Sequence, residues 1–291
     1  MKLETRFVRF QKITIIGIGL LGGSIGLAAK KRRVAGEIAG FVRSKKSISG
    51  CEKFGATDFA TTDLLTAVSN SDLVILCTPL AQMRPLAEKM LPALKRGSIV
   101  TDVGSVKADV VRELESLVNK SGAHFVGSHP MAGAEKTGVA AARENLFENA
   151  VCVLTPKVEQ FWKSLGARVL KLAPEQHDLL VSRTSHLPHI VAATLAGLVL
   201  DPKQPKQQAA LCAMGFRDTT RIASGSPEMW RDIALANRKN IVKSVDAFIT
   251  ELKKFQTVLK KADAEAIEQI FTTAKSRRDN WCAGSATTSS E

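Results

Sequence analysis

Tyrosine is absent from this chain of 291 residues, and all aromatic residues together make up only 5% of it. Nucleic-acid bases stack on aromatic rings, so a single-strand binding platform is a poor fit to such a composition. Cysteine is scarce as well: Cys51, Cys77, Cys152, Cys212 and Cys282 are odd in number, far apart and without any Cys-x-x-Cys spacing. This excludes a disulfide framework or a zinc cage and suits a reducing compartment, so a cytoplasmic location is expected. No apolar run reaches the ~18 residues of a membrane-spanning helix. Residues 1–12 alternate charges with single apolar positions, and no export is expected from them. Acidic residues are the minority, 28 Asp and Glu against 41 Lys and Arg, giving a formal net charge of +13. The positive charges are dispersed, with short clusters only at residues 30–33 and 45–46. The excess therefore reads as a surface that attracts small anions, and neither a nucleic-acid nor a membrane partner is expected. The remaining balance, 45% hydrophobic and 24% charged, is that of a globular protein long enough for two domains.

The apolar pattern divides the chain. Short β-branched or fully apolar runs at residues 12–17, 37–42, 72–77 and 98–103 read as buried strands. Amphipathic stretches between them, such as 20–31, 83–94 and 106–118, supply crossover helices. Strands alternating with helices at this spacing predict a doubly wound parallel sheet. Residues 124–128 and 151–154 are expected to extend that sheet, with 167–172 closing it. Beyond Pro174 the β-rich runs end, and residues 175–200, 205–222, 228–259 and 264–274 carry helical periodicity. Pro188 should kink the first of these helices. The expected organisation is an α/β nucleotide-binding domain of the Rossmann type over 1–172, an all-helical C-terminal domain for substrate and dimerisation over 173–282, and a disordered tail over 283–291.

Gly17-Ile18-Gly19-Leu20-Leu21-Gly22 fits G-x-G-x-x-G, follows the first strand and opens the first helix. Gly17 permits the tight turn, Gly19 admits a pyrophosphate close to the backbone, and Gly22 packs helix on strand. The first-turn N–H groups of Leu20 and Leu21 then face the phosphates. Thr78, at the end of another strand, falls on the same edge. An NAD site places an acid after the second strand to hold the ribose hydroxyls. Here Phe41-Val42-Arg43-Ser44-Lys45-Lys46 contains none. Arg43, Ser44 and Lys45 suit a 2′-phosphate, so NADP is expected over NAD. Ser105 and His129 both follow strands that end at the carboxyl edge of the sheet, where ligands bind. A histidine beside a serine over a nicotinamide suits the oxidation of an alcohol, the imidazole accepting the hydroxyl proton.

Six segments together resemble the prephenate/arogenate dehydrogenase family of tyrosine biosynthesis. They are DVGSVK (102–107), GSHPMAGAEKTGV (127–139), LFENAVCVLTP (146–156), SHLPH (185–189), GFRDTTRIA (215–223) and MWRDI (229–233). The resemblance implies oxidative decarboxylation of a cyclohexadienol: prephenate gives 4-hydroxyphenylpyruvate, and arogenate gives tyrosine. It implies that His129 is the base, that Ser105 orients the hydroxyl, and that Arg221 holds a substrate carboxylate. It also places His186 and His189 at the substrate, with Glu135 and Asp218 as acids near the substrate or the arginine. A homodimer through the helical domain is expected, because apolar helices such as 191–200 exceed what that domain covers by itself. His-x-x-His lacks a third ligand at usable spacing, and no metal is expected. Trp230 reads as helix packing, and His124 and His177 carry no motif. The rivals are a two-domain dehydrogenase of the 3-hydroxyacid or 6-phosphogluconate type, which relies on a catalytic lysine and lacks Ser-His-Pro-Met, and a nucleotide-sensing module without chemistry.

Overall fold

The computed structural model describes residues 10–134, 136–154 and 158–287. They form nine strands: β1 (Phe10–Ile16), β2 (Ala35–Phe41), β3 (Phe59–Thr61), β4 (Leu73–Leu76), β5 (Ile99–Asp102), β6 (His124–Val126), β7 (Ser128–Pro130), β8 (Val151–Leu154) and β9 (Arg168–Lys171). The first six make one parallel sheet in the order β3-β2-β1-β4-β5-β6. Helices α1 (Leu20–Lys31), α2 (Lys45–Phe54), α3 (Leu64–Val68), α4 (Leu80–Met90) and α5 (Ala108–Asn119) connect them. Both faces of the sheet are covered, which is why β4 is apolar at every position and wholly buried. Alternate residues feed opposite layers: Ile13, Ile15, Leu73 and Ile75 enter one core, and Ile16, Val74 and Leu76 the other. Strand order reverses between β1 and β4, so the crevice above their carboxyl ends is the expected ligand site.

The sheet does not extend as expected from residue 127 onward. Residues 124–126 join it, but β7, β8 and β9 form a separate three-stranded sheet in which β7 and β8 are antiparallel. The chain turns at Gly127 because it passes hard against α5; a Cβ there would sit 2.7 Å from Val111 Cγ2. Ser128 then replaces the next backbone pairing, its Oγ donating to the Asp102 carbonyl at 2.6 Å.

The remaining helices are α6 (Glu159–Ser164), α7 (Pro174–Val181), α8 (Leu187–Val199), α9 (Lys206–Ala210), α10 (Met214–Thr220), α11 (Pro227–Ala236), α12 (Arg238–Lys260) and α13 (Ala264–Thr287). They are more broken than periodicity suggests. The long helix expected over 175–200 is α7 and α8 joined by a π-helical turn, Ser182–His186. Pro188 lies in the first turn of α8, where its missing N–H leaves a carbonyl of the preceding turn without its helical donor. The segment 228–259 breaks at Asn237, and 205–222 breaks between α9 and α10. The last helix runs on to Thr287, taking in residues 283–287 that were expected in a tail; residues 288–291 lie outside the described residues. The chain divides into two compact units, Met1–Arg238 and Lys239–Glu291. Within the second, α12 and α13 bring Phe255 and Phe271 edge to face at 6.0 Å.

Candidate active site

The glycine-rich turn has the shape its sequence implies. Gly17 adopts φ +96°, and a Cβ on it would fall 2.7 Å from the Cys77 carbonyl oxygen. A Cβ on Gly22 would fall 2.1 Å from the Gly17 carbonyl oxygen, so helix and strand touch backbone to backbone. Gly19 faces open space, with nothing within 4 Å of a Cβ placed there. It is the N-cap of α1, no side chain caps that end, and the first turn carries no acid. The first-turn N–H groups at Leu20 and Leu21 thus have no helical partner and favour an anion. Beside them Thr78 Oγ1 is buried with no partner among the described residues. An open glycine, an uncapped helix end and an orphaned hydroxyl fit a dinucleotide pyrophosphate. At the end of β2, Arg43, Ser44 and Lys45 are exposed. Ser44 is the N-cap of α2, its side chain turned to Ser47 Oγ at 2.9 Å instead of capping the helix.

His129 sits in a buried polar line. Asp178 Oδ1 accepts the His177 Nδ1–H at 2.8 Å, so a neutral His177 presents Nε2 as an acceptor. His129 Nδ1 lies 2.8 Å from that Nε2 and must therefore carry the hydrogen. This leaves the lone pair of His129 on Nε2, the form required to receive a proton. Burial, chiefly, and then the neighbouring His177, Lys107 and His186 hold the His129 imidazole well below its usual pKa, so it is neutral at pH 7. The Asp178 carboxylate is itself fixed. It accepts the Lys107 N–H at 2.7 Å and the Ala108 N–H at 2.9 Å, capping α5, whose own N-cap offers no side-chain acceptor.

A second arm comes from the helical breaks. Asn237, between α11 and α12, donates from Nδ2 to the Asp178 carbonyl at 2.8 Å and to His186 Nδ1 at 3.2 Å. His186 thus carries its hydrogen on Nε2, which is buried without a partner among the described residues. Burial lowers its pKa to about 4, against an opposing pull from Asp178. His189 donates from Nδ1 to the Ser185 carbonyl at 2.9 Å and stacks on Trp230 at 3.9 Å. Trp230 also meets the edge of His186, and its Nε1 is buried and unpartnered among the described residues.

Of the residues singled out in sequence, the structure groups His129 and His186 through this network, with Ser105 just beyond β5 and its backbone acting on His186. His189 joins through Trp230. Arg221 opens the short 3₁₀ turn Arg221–Ser224, which packs on α8; it is exposed, as is Asp218 on α10. Glu135 lies outside the described residues. Sequence reasoning missed His177, Asp178 and Asn237. The adjacent His-Asp pair in the first helix after Pro174 was a usable signal, whereas Asn237 had none.

Two family models match the chain in succession: "Prephenate dehydrogenase, nucleotide-binding domain" over residues 25–171, and "Prephenate dehydrogenase, dimerization domain" over residues 173–273. The chain belongs to the prephenate dehydrogenase family. It is 38% identical over 279 residues to the prephenate dehydrogenase of Bacillus subtilis (strain 168), covering 92% of this chain and 75% of that protein. It is 33% identical over 281 residues to the cyclohexadienyl dehydrogenase of Zymomonas mobilis, covering 92% and 95%. The crystal structure of prephenate dehydrogenase from A. aeolicus, in complex with hydroxyphenyl propionate and NAD+, superposes with a TM-score of 0.86 at 32% identity over 93% of this chain and 98% of that one. The protein is accordingly a dehydrogenase of tyrosine biosynthesis, and its reaction is oxidative decarboxylation of a cyclohexadienol. Membership of this family displaces the 3-hydroxyacid and 6-phosphogluconate alternatives.

Proposed function

We propose that this family member oxidises prephenate and arogenate with NADP, His129 Nε2 taking the proton of the ring hydroxyl. The Asp178–His177–His129 line carries this reading, because it leaves a neutral imidazole with its lone pair free. A bound nicotinamide accepts the hydride from the carbinol carbon. As the C–H bond breaks, the O–H proton passes to His129, the opposite ring carboxylate departs as CO₂, its bonding pair completes the aromatic ring, and the phenolate oxygen so formed recovers the proton from His129. Ser105 orients the hydroxyl. Arg221 supplies a permanently charged fork for a substrate carboxylate, with Asp218 one helical turn before it and Glu135 the acid assigned to the side-chain end. The buried donor His186 Nε2–H serves the substrate, and His189 with Trp230 forms a wall of its site. The free cysteines accord with work in the cytoplasm. Among the described residues no helix is long and apolar enough to cross a membrane.

NADP is favoured by the β2–α2 turn, where Arg43, Ser44 and Lys45 stand at an uncapped helix N-terminus and no carboxylate occupies residues 41–46. Following reduced cofactor at 340 nm, with each substrate paired with each cofactor, tests both choices. A higher kcat/KM with NADP is expected, and Arg43→Asp should raise the KM for NADP and improve the use of NAD. A wild-type preference for NAD of roughly tenfold overturns the argument from charge. We further infer a homodimer through residues 173–273, in keeping with the dimerisation description that this segment matches.

A further inference from the structure

A buried ion pair stands between the two catalytic residues, and the reaction above makes no use of it. Lys107 Nζ donates to Asp102 Oδ2, and these side chains are 3% and 0% exposed. Asp102 ends β5. Its carboxylate also accepts the Gly104 N–H at 2.8 Å and the Ser128 N–H at 3.1 Å, while its carbonyl accepts the Ser128 hydroxyl at 2.6 Å. One neighbour of these contacts is Ser105, next to Gly104; the other is His129, next to Ser128. Lys107 stands two residues beyond Ser105, with its own N–H on the Asp178 carboxylate that orients His177. A single residue pair is therefore bonded to the loop of the serine, the strand of the histidine and the cap of the relay. Buried ion pairs add little stability over a packed apolar pair of the same volume, so stability alone does not account for this one.

We propose that Asp102 and Lys107 are positioning residues whose ion pair sets Ser105 and His129 in register for proton transfer. The proposal rests on His129 being the base. The ammonium has an electrostatic consequence too, since its charge opposes a second positive charge on the imidazole. The titratable and charged groups around His129 are His177 and Asp178 on α7, His186 in the π-helical turn, Asp102 at the end of β5, Lys107 just before α5, and Cys152 on β8.

The test compares Lys107→Met, Asp102→Asn, the double variant and Lys107→Arg with wild type, measuring kcat, KM, thermal midpoint and the pH profile of kcat/KM. In Lys107→Met, kcat should fall roughly 10–100-fold with KM for substrate and cofactor changed less than about twofold, as expected when geometry is lost but binding is not. Its acidic limb should move to higher pH, and Lys107→Arg should return the limb towards its wild-type place. The double variant, which buries no unpaired charge, should regain the thermal midpoint lost by the single variants yet keep the low kcat. It also serves if either single variant fails to fold. A double variant with wild-type kcat and an unmoved limb overturns the proposal. The wild-type limb must disappear in His129→Asn; a limb that persists there overturns the base assignment instead.

Discussion

A neutral imidazole accepts a proton on one nitrogen only while the other holds its hydrogen, and at His129 that arrangement is enforced by His177 and Asp178. With His129 proposed to act as the hydroxyl proton leaves, His129→Asn should lower kcat by ~10²–10⁴-fold, about 3–5 kcal/mol of transition-state stabilisation, with little change in KM. Arg221 is proposed to hold a carboxylate in ground and transition state alike, so Arg221→Gln should raise KM more than it lowers kcat. Cofactor affinity should survive both changes, because neither residue belongs to the turn around Gly19. Steady-state kinetics on both variants decide the matter, and near-wild-type turnover in His129→Asn would place the base elsewhere. Ser105, His129 and Arg221 could be singled out in the sequence because they lie in contiguous motifs. His177 was not: its role depends on contact with a strand 48 residues earlier in the chain, and local pattern carries no trace of that contact.

At the level of elements, chemistry is placed by interruptions of regular structure. The π-helical turn before Pro188 carries His186 inward, the break at Asn237 aims an amide at it, and the turn at Gly127 separates β7 from the main sheet. Periodicity over 12–103 located β1, β2, β4 and β5, helped by the wholly apolar and buried β4 and the buried second half of β1, and missed the three-residue edge strand β3. It placed β7 to β9 in the wrong sheet because hydrophobic spacing specifies that a strand is buried and is silent about which strand it pairs with. It likewise merged α7 with α8 and α11 with α12, whose breaks are defined by polar contacts with distant residues. These contacts give the helices a dependence on acid. His186 has a folded pKa of about 4, below the ordinary histidine value of 6.5, so between those two values the unfolded chain binds a proton that the folded chain does not. Stability is therefore full above pH 6.5, declines as pH falls to about 4, and levels off below that. For this residue alone the loss is about 3 kcal/mol. Denaturant midpoints from pH 7 to 4 should fall accordingly, and His186→Asn should make the slope shallower. An unchanged slope in that variant would show that the imidazole is not the group titrating.

Over the whole molecule, two surface features that look alike in composition have different uses. The basic cluster at the end of α1 is engaged internally: Lys30 pairs with Asp58 at 2.7 Å, Lys31 with Glu144 at 2.6 Å and Arg32 with Glu148 at 2.5 Å. The pairs of Lys31 and Arg32 tie the segment after His129 to α1. The apolar excess is a different matter. In the first compact unit Leu198, Leu200, Leu211 and Met214 are exposed, Leu211 at 82%; in the second, Leu252, Leu259, Phe271 and Trp281 are exposed, Trp281 at 67%. Apolar surface of this kind in a monomer invites association, and a two-fold partner would cover it with the same surface of a second copy. Most of these residues fall in or beside 173–273, the segment matching a dimerisation domain. Light scattering at micromolar concentration should give twice the chain mass of 31.4 kDa. Leu252→Asp combined with Phe271→Asp should shift that mass towards a single chain while leaving cofactor affinity intact, because the glycine-rich turn and the β2–α2 turn both lie in the other compact unit. A wild-type mass of one chain at that concentration overturns the dimer. A double variant that keeps the doubled mass moves the interface to the face around Leu198 and Leu211.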